Sequence, residues 1–125
     1  MVSPLVKRAA LELGGNDPLI VLNDADIEDA VESCVSGAFW AAGQNCVGVQ
    51  RILVAESLYA EFRRRFLDAA AILVAGDPSD ERTDVGPMIS PVALSELQDK
   101  LDEAIDAGAV VLTGNVADGN VLQPT

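Results

Sequence analysis

The sequence predicts a single α/β domain, residues 1–125, built around a mainly parallel sheet. Half of its 125 residues are apolar, yet only 4% are aromatic, so the core must consist of aliphatic side chains. Short β-branched segments alternate with segments whose apolar residues recur at helical spacing. A strand, a helix and a second strand in that order favour a right-handed crossover, which makes the two strands parallel.

The first three predicted elements form this crossover. Residues 18–22 are typical of a short buried strand. Asn23 or Asp24 is expected to cap the following helix by accepting a backbone N–H bond, and Gly43 is expected to end it. The second strand is predicted at residues 51–55. The inward face of the helix is predicted to contain Ile27, Val31, Cys34, Val35, Ala38 and Ala42.

The remaining chain predicts two further helices and one further strand. A second helix is predicted at residues 57–75, followed by an ordered polar surface segment at 76–90. Ser90 and Pro91 are typical of a helix start, and this third helix should end before Gly108. Residues 109–113 are predicted to form a third strand. The inward helical positions are Leu58, Phe62, Phe66, Ala69 and Leu73, and then Leu94, Leu97, Leu101 and Ile105.

The charge and residue counts exclude several classes of function. The net charge of −12 argues against binding to nucleic acid or to an anionic membrane. No apolar run approaches the roughly 18 residues of a membrane span, and residues 1–10 lack the apolar stretch of a signal peptide, so a cytoplasmic location is expected. With two cysteines and no histidine, neither a disulfide framework nor a metal site is predicted.

The two cysteines are predicted to have different roles. Cys34 lies on the apolar stripe of the first helix and is predicted to be a small core residue. Cys46 lies off that stripe, flanked by Gln44, Asn45 and Gly48, in a loop of the kind that displays reactive groups. Since the chain contains no histidine, a nucleophilic Cys46 would require a different base.

A glutamate beside paired glycines is the candidate for that base. Residues 11–15 read Leu-Glu-Leu-Gly-Gly, which places Glu12 next to a tight turn, although such a surface glutamate is commonplace when taken alone. Glu12 and Cys46 are separated by 34 positions. In this order and at this separation, the two motifs resemble the Glu-Leu-Gly-Gly and Gly-Gln-x-Cys motifs of the NAD(P)-dependent aldehyde dehydrogenase superfamily. The resemblance continues at Pro18, residues 24–26, Arg51, residues 76–78, residues 84–87, residues 108–109 and residues 124–125.

The resemblance implies both a fold and a reaction. The chain would be part of a catalytic domain with a three-layer sandwich architecture, without the cofactor-binding domain and the C-terminal part. Cys46 would attack an aldehyde and pass through a thiohemiacetal and a thioester, and Glu12 would act as the general base that releases a carboxylic acid. NAD or NADP would be the cofactor, with Leu13 and Gly14 on its nicotinamide side. The family's oxyanion-stabilising asparagine would lie upstream of Met1.

Two other interpretations remain open at this stage. The chain could be a non-catalytic truncated or partner-binding module, because the sequence contains no glycine-rich phosphate loop. It could also be a thiol hydrolase that uses Cys46 and Glu12 without a cofactor. The isolated chain is expected to be inactive as a dehydrogenase and to self-associate through an uncovered edge at residues 109–113. The full-length parent is expected to be a homo-oligomer.

Overall fold

The computed structural model describes residues 10–11 and 13–125 of the chain. Its helices and strands follow the predicted order, apart from the C-terminal region. They are β1 (Asp17–Val21), α1 (Ile27–Phe39), β2 (Val49–Val54), α2 (Glu56–Ala71), α3 (Pro91–Asp106), β3 (Ala117–Asp118) and β4 (Val121–Leu122), with a short 3-10 turn at Trp40–Gly43 between α1 and β2.

The first two strands form a parallel pair. Pro18 lies opposite Arg51, the register continues to Val21 opposite Val54, and a shift occurs between Asp17 and Pro18. Each observed strand lies within two residues of its predicted limits. This arrangement confirms the predicted α/β class with a parallel sheet, because the helix α1 connects the two strands.

The N-terminus of α1 corrects the predicted cap. Asp26, rather than Asn23 or Asp24, caps the helix, and its carboxylate accepts two backbone N–H groups of the first turn at 2.9 and 3.3 Å. The chain first makes a turn, closed by a 3.1 Å hydrogen bond from the Ala25 nitrogen to the Leu22 oxygen. This turn contains both predicted cap residues, so the helix begins after them.

The core lies between the β1–β2 pair and the helices α1 and α2. Its buried residues are Val21, Val31, Cys34 and Phe62. The Phe62 ring stacks on the Phe66 ring with the centroids 5.8 Å apart. The buried positions of α1 and α2 confirm the predicted inward faces, except that α2 ends at Ala71, so Leu73 lies beyond the helix. The partly buried residues around this core include Leu19, Ile27, Val35, Ile52, Leu58 and Ala69.

The segment at residues 76–90 is ordered, as predicted. A parallel bridge joins Ala75 to Val85, and the side chain of Val85 is buried. The Asp77 carboxylate accepts the Ser79 N–H at 2.8 Å and the Ser79 hydroxyl at 2.7 Å. Such local hydrogen bonds from side chains, rather than the backbone pairing of a β-sheet, hold the turns of this segment in place.

The C-terminal region contains one confirmed helix and one wrong strand prediction. Ser90 caps α3 by accepting the Ala93 N–H at 3.1 Å, and Gly108 follows the helix with φ +101°. Residues 109–113 do not form a strand, because no strand among the described residues pairs with them; Val110 is 77% exposed. The strands β3 and β4 instead form a short antiparallel hairpin.

Within residues 10–11 and 13–125, no helix is long and apolar enough to cross a membrane.

Candidate active site

The helix that leads to Cys46 ends in an unusual turn. α1 ends at Phe39, four residues before the predicted stop at Gly43, so Ala42 is not part of its inward face. Ala41, Ala42 and Gly43 have φ values of 52°, 56° and 71°, in the left-handed region. This conformation costs a non-glycine residue about 1–2 kcal/mol. Only Gly43 signals it in the sequence, which explains why the end of the helix was misplaced.

Asn45 organises the loop that carries Cys46. The Asn45 side-chain oxygen accepts the Val47 N–H at 3.4 Å and the Cys46 thiol at 3.8 Å. The Asn45 backbone oxygen accepts the Gly48 N–H at 3.2 Å. Cys46 is therefore half-buried in a compact turn directly before β2, at the end of the parallel strand pair.

Gln44 connects this loop to a distant part of the chain. Its side-chain nitrogen donates to the Ala41 oxygen at 3.2 Å and to the Pro87 oxygen at 3.4 Å. Its side-chain oxygen accepts the Ile89 N–H at 2.8 Å. Both polar atoms of the amide are used, and two of the three bonds cross more than 40 positions of sequence.

The glycine pair lies against the Cys46 loop. A side-chain carbon at Gly15 would lie 2.6 Å from the carbonyl oxygen of Cys46, closer than two such atoms can approach. Only glycine allows this approach of the two backbones. The structure therefore brings together the ends of the two motifs that the sequence singled out.

Arg51 also holds the two segments together. It lies on β2 opposite Pro18. Its Nε and Nη2 atoms both donate to the carbonyl oxygen of Asn16, at 3.0 and 2.8 Å. Two N–H groups of one rigid guanidinium converge on this single oxygen, so they hold the carbonyl in a defined direction. The segment after the glycine pair is thus tied to β2 within five residues of Cys46.

The general base predicted from sequence, Glu12, lies outside the described residues. Its neighbours Leu11 and Leu13 have exposed side chains, at 73% and 91%. Gly14 has φ +104°, and the space where a side chain would stand is open. The turn therefore presents an apolar and sterically open surface beside Gly15 and the Cys46 loop.

The two cysteines lie in contrasting surroundings. Cys34 has no exposed surface, and its burial raises the pKa of its thiol. Because the thiolate is the nucleophilic form, burial keeps this cysteine inert. Cys46 is half-buried in a polar loop. The sequence-based prediction of a core role for Cys34 is confirmed.

Sequence reasoning missed the contacts that support the site. Gln44 and Arg51 belong to the motif and anchor positions noted in the sequence, but their partners at residues 16, 87 and 89 are remote in the chain. Hydrogen bonds to backbone atoms carry no signal in the residue types of the partners. The close approach of Gly15 to the Cys46 carbonyl oxygen was also missed. It depends on the parallel pairing of β1 with β2, which brings the two backbones together.

Known proteins match the chain along almost its whole length. The model of the aldehyde dehydrogenase family matches residues 2–125. An aldehyde-dehydrogenase-like protein of Sinorhizobium fredii is 55% identical over 120 residues, covering 96% of this chain and 23% of the relative. The aspartate-semialdehyde dehydrogenase 1 of Pseudomonas canavaninivorans is 48% identical over 120 residues, covering 96% of this chain and 26% of the relative.

A solved structure shares the fold. The glyceraldehyde-3-phosphate dehydrogenase of Methanocaldococcus jannaschii, complexed with NADP, superposes with a TM-score of 0.88 at 42% identity, covering 90% of this chain and 25% of that one. The chain spans about a quarter of the length of the relatives that it matches. With the family model matched over residues 2–125, the chain belongs to the aldehyde dehydrogenase family.

Proposed function

We propose that this chain supplies the nucleophile and the general base of an NAD(P)-dependent aldehyde dehydrogenase, and that the product is a carboxylic acid. The observation that carries the proposal is the contact between Gly15 and the carbonyl oxygen of Cys46. It puts Gly15, which follows Glu12 by three positions in the sequence, beside the loop of the proposed nucleophile. This closeness supports the proposal that Glu12 and Cys46 serve one site.

Cys46 is the proposed nucleophile. Its sulfur attacks the aldehyde carbon and forms a C–S bond, which converts the carbonyl oxygen into the oxyanion of a thiohemiacetal. By resemblance to the family, the Cys46 backbone N–H would stabilise this oxyanion together with an asparagine from outside residues 1–125. The loop suits this role because it is held before the substrate binds: the Asn45 side chain accepts the Val47 N–H within the loop, and the Gln44 side chain accepts the Ile89 N–H outside it.

Leu13 and Gly14 would lie beside the nicotinamide ring. Their exposed apolar surface and the open space at Gly14 fit a flat ring at this turn, near Cys46. When bound, the nicotinamide supplies the acceptor for the hydride that leaves the substrate carbon, which gives a thioester on Cys46. The described residues offer contacts for this end of the cofactor, and the family relatives use NAD or NADP.

Glu12 would complete the reaction as the general base. Its carboxylate accepts a proton from a water molecule, whose oxygen attacks the thioester carbon, breaks the C–S bond and releases the carboxylic acid. Relatives that transfer the acyl group to coenzyme A do not need this base and generally lack it. Glu12 therefore supports hydrolysis rather than acyl transfer.

The isolated chain would not catalyse this reaction by itself. It spans about a quarter of its relatives, so most of the substrate and cofactor contacts come from other segments in those proteins. Its apolar residues 109–112 are exposed, with Val110 at 77% and Leu112 at 45%. We expect this surface to make the isolated chain self-associate, in contrast to a protein of the full length of its relatives. Sedimentation of the wild-type chain and of Val110→Lys over a concentration series measures this difference.

A chimera tests the proposed function. The matching segment of the Methanocaldococcus jannaschii glyceraldehyde-3-phosphate dehydrogenase is replaced by residues 2–125 of this chain, and NADPH formation is followed by rapid mixing. The chimera should turn over, Cys46→Ser should lose the reaction, and Cys34→Ser should retain it. Glu12→Gln should give one burst of NADPH per site and then stop, because the thioester is not hydrolysed. Undiminished turnover by Cys46→Ser would refute the proposal.

A further inference from the structure

Gln44 lies two residues before Cys46 and uses its whole side-chain amide to hold the loop. Its oxygen accepts the Ile89 N–H at 2.8 Å, and its nitrogen donates to the oxygens of Ala41 and Pro87 at 3.2 and 3.4 Å. A surface glutamine normally directs its amide into water, so three contacts to backbone groups are a large conformational restriction. Gln44 therefore links the Cys46 loop to residues 87–89.

Residues 87–89 are themselves held from the opposite direction. The Met88 N–H donates to the Asn120 oxygen at 2.8 Å, and the Asn120 side-chain nitrogen donates to the Met88 oxygen. Asn120 lies in the turn between β3 and β4. Gln44 thus binds a segment that is also held by the β3–β4 hairpin. The Cys46 loop is therefore supported by contacts outside α1 and β2, the two elements that it connects.

The connection between α1 and Cys46 needs such a support. Ala41 and Ala42 have φ values of 52° and 56°, and a strained backbone persists only when surrounding contacts hold it. The bond from Gln44 to the Ala41 oxygen closes this turn, and the bonds to Pro87 and Ile89 anchor it. Without these bonds, the loop could relax towards a more favourable backbone conformation.

We propose that Gln44 is a positioning residue that fixes Cys46 through residues 87–89 and, behind them, Asn120. The effect of Gln44 on catalysis rests on the proposed function. Its effect on the position of the Cys46 loop does not, because it follows from the hydrogen bonds of Gln44 alone. Gln44 does not touch the reacting atoms in this account. Its role is to keep the half-buried sulfur of Cys46 in one place while the aldehyde approaches.

The test measures the reactivity of Cys46 in the complete 125-residue chain. Gln44→Met preserves the length of the side chain and removes its hydrogen bonds, and Gln98→Met on the exposed face of α3 is the matched control. Iodoacetamide labelling of each cysteine is followed by peptide mass spectrometry, and amide hydrogen exchange is followed at Ile89. The buried Cys34 serves as an internal reporter of unfolding.

Gln44→Met should label at Cys46 at least about fivefold faster than the control, because the variant loses three hydrogen bonds and the loss of one net hydrogen bond already changes a local equilibrium by that factor. Ile89 exchange should accelerate by a similar factor, and Cys34 labelling should stay unchanged. Asn120→Ala should act in the same direction, and the double variant should show less than the product of the two effects because both residues act through one segment.

Two results would overturn the inference. A Cys46 labelling rate within about twofold of the control would show that the hydrogen bonds do not position the loop, since one lost bond should exceed that change. Equal acceleration at Cys34 and Cys46 would show a general loss of stability. Neither measurement involves aldehyde or cofactor, so both remain valid if Cys46→Ser fails to abolish turnover in the chimera and the proposed function is wrong.

Discussion

Gly15 and Cys46 approach each other so closely that a side-chain carbon on the glycine would lie 2.6 Å from the carbonyl oxygen of the cysteine. Gly15→Ala must therefore displace one of the two backbones. We expect a loss of about 1–3 kcal/mol in the free energy of unfolding, as for other overpacked sites. Urea denaturation followed by circular dichroism measures this loss.

Gly86→Ala is the matched control, because no atom lies within 4 Å of a side-chain carbon at that position. Its stability should stay within about 0.5 kcal/mol of the wild type, as for most surface substitutions. If both glycine variants are equally stable, the close approach of Gly15 to Cys46 is wrong.

The two thiols should react at very different rates in the folded chain. Cys34 is fully buried and its pKa is raised by that burial, whereas Cys46 is half-buried in a loop. Brief treatment with iodoacetamide should therefore label Cys46 far faster than Cys34. Mass spectrometry of the digested adduct identifies the labelled peptide, and urea-unfolded protein provides the control in which both thiols should react. Predominant labelling of Cys34 in the folded chain would contradict the assigned roles.

The left-handed turn before Cys46 predicts an unusual response to glycine. Ala41 has φ 52° and is exposed, whereas Ala60 is an exposed residue within α2. Replacement of alanine by glycine raises the conformational entropy of the unfolded chain equally at both sites. The difference in stability between the two variants therefore depends on the backbone conformation of each site in the folded chain. Ala41→Gly should be more stable than Ala60→Gly by about 1–2 kcal/mol. Equal losses in urea denaturation would show that Ala41 is not in the left-handed region.

The turns at residues 77–84 should loosen in acid. The hydrogen bond from the Ser79 hydroxyl lowers the pKa of Asp77, and the hydrogen bond from the Arg82 side chain lowers the pKa of Asp80. A lowered folded-state pKa means that the stabilisation is present above the ordinary carboxyl pKa and is lost as the pH falls through the lowered value. Amide exchange at Ser79 and Arg82, corrected for the intrinsic pH dependence, should become less protected in that range.

Asp77→Asn provides the control for this pH dependence. The variant should lose the pH dependence of protection at Ser79 and keep that at Arg82, because the two carboxylates lie in separate turns. Protection that stays constant through the acid range in the wild type would contradict the prediction.

The elements that depend on local sequence were predicted best. The β1–α1–β2 unit and the Ser90 cap follow from apolar spacing and from one side chain bonding to a nearby N–H group. The predictions were wrong where the structure of a segment depends on its neighbours in the fold. Residues 109–113 have strand composition but no paired neighbour among the described residues, and composition cannot reveal a neighbour.

The candidate site was predictable to a similar extent. The assignment of Cys46 and Glu12 as its reactive residues rests on the resemblance to the family's two motifs and stays a prediction. The supports at Gln44 and Arg51 use backbone atoms of remote residues, and these contacts become visible only when the chain is folded.

The covalent intermediate on Cys46 provides the most direct test of the central claim. The Glu12→Gln chimera is mixed with aldehyde and NADP, quenched in acid and digested, and the peptides are weighed. The account predicts an acyl group on the peptide that contains Cys46, formed only when aldehyde and cofactor are both present, because Glu12 is needed for its hydrolysis. Formation of NADPH without an adduct on Cys46, or with the adduct on another residue, would contradict it.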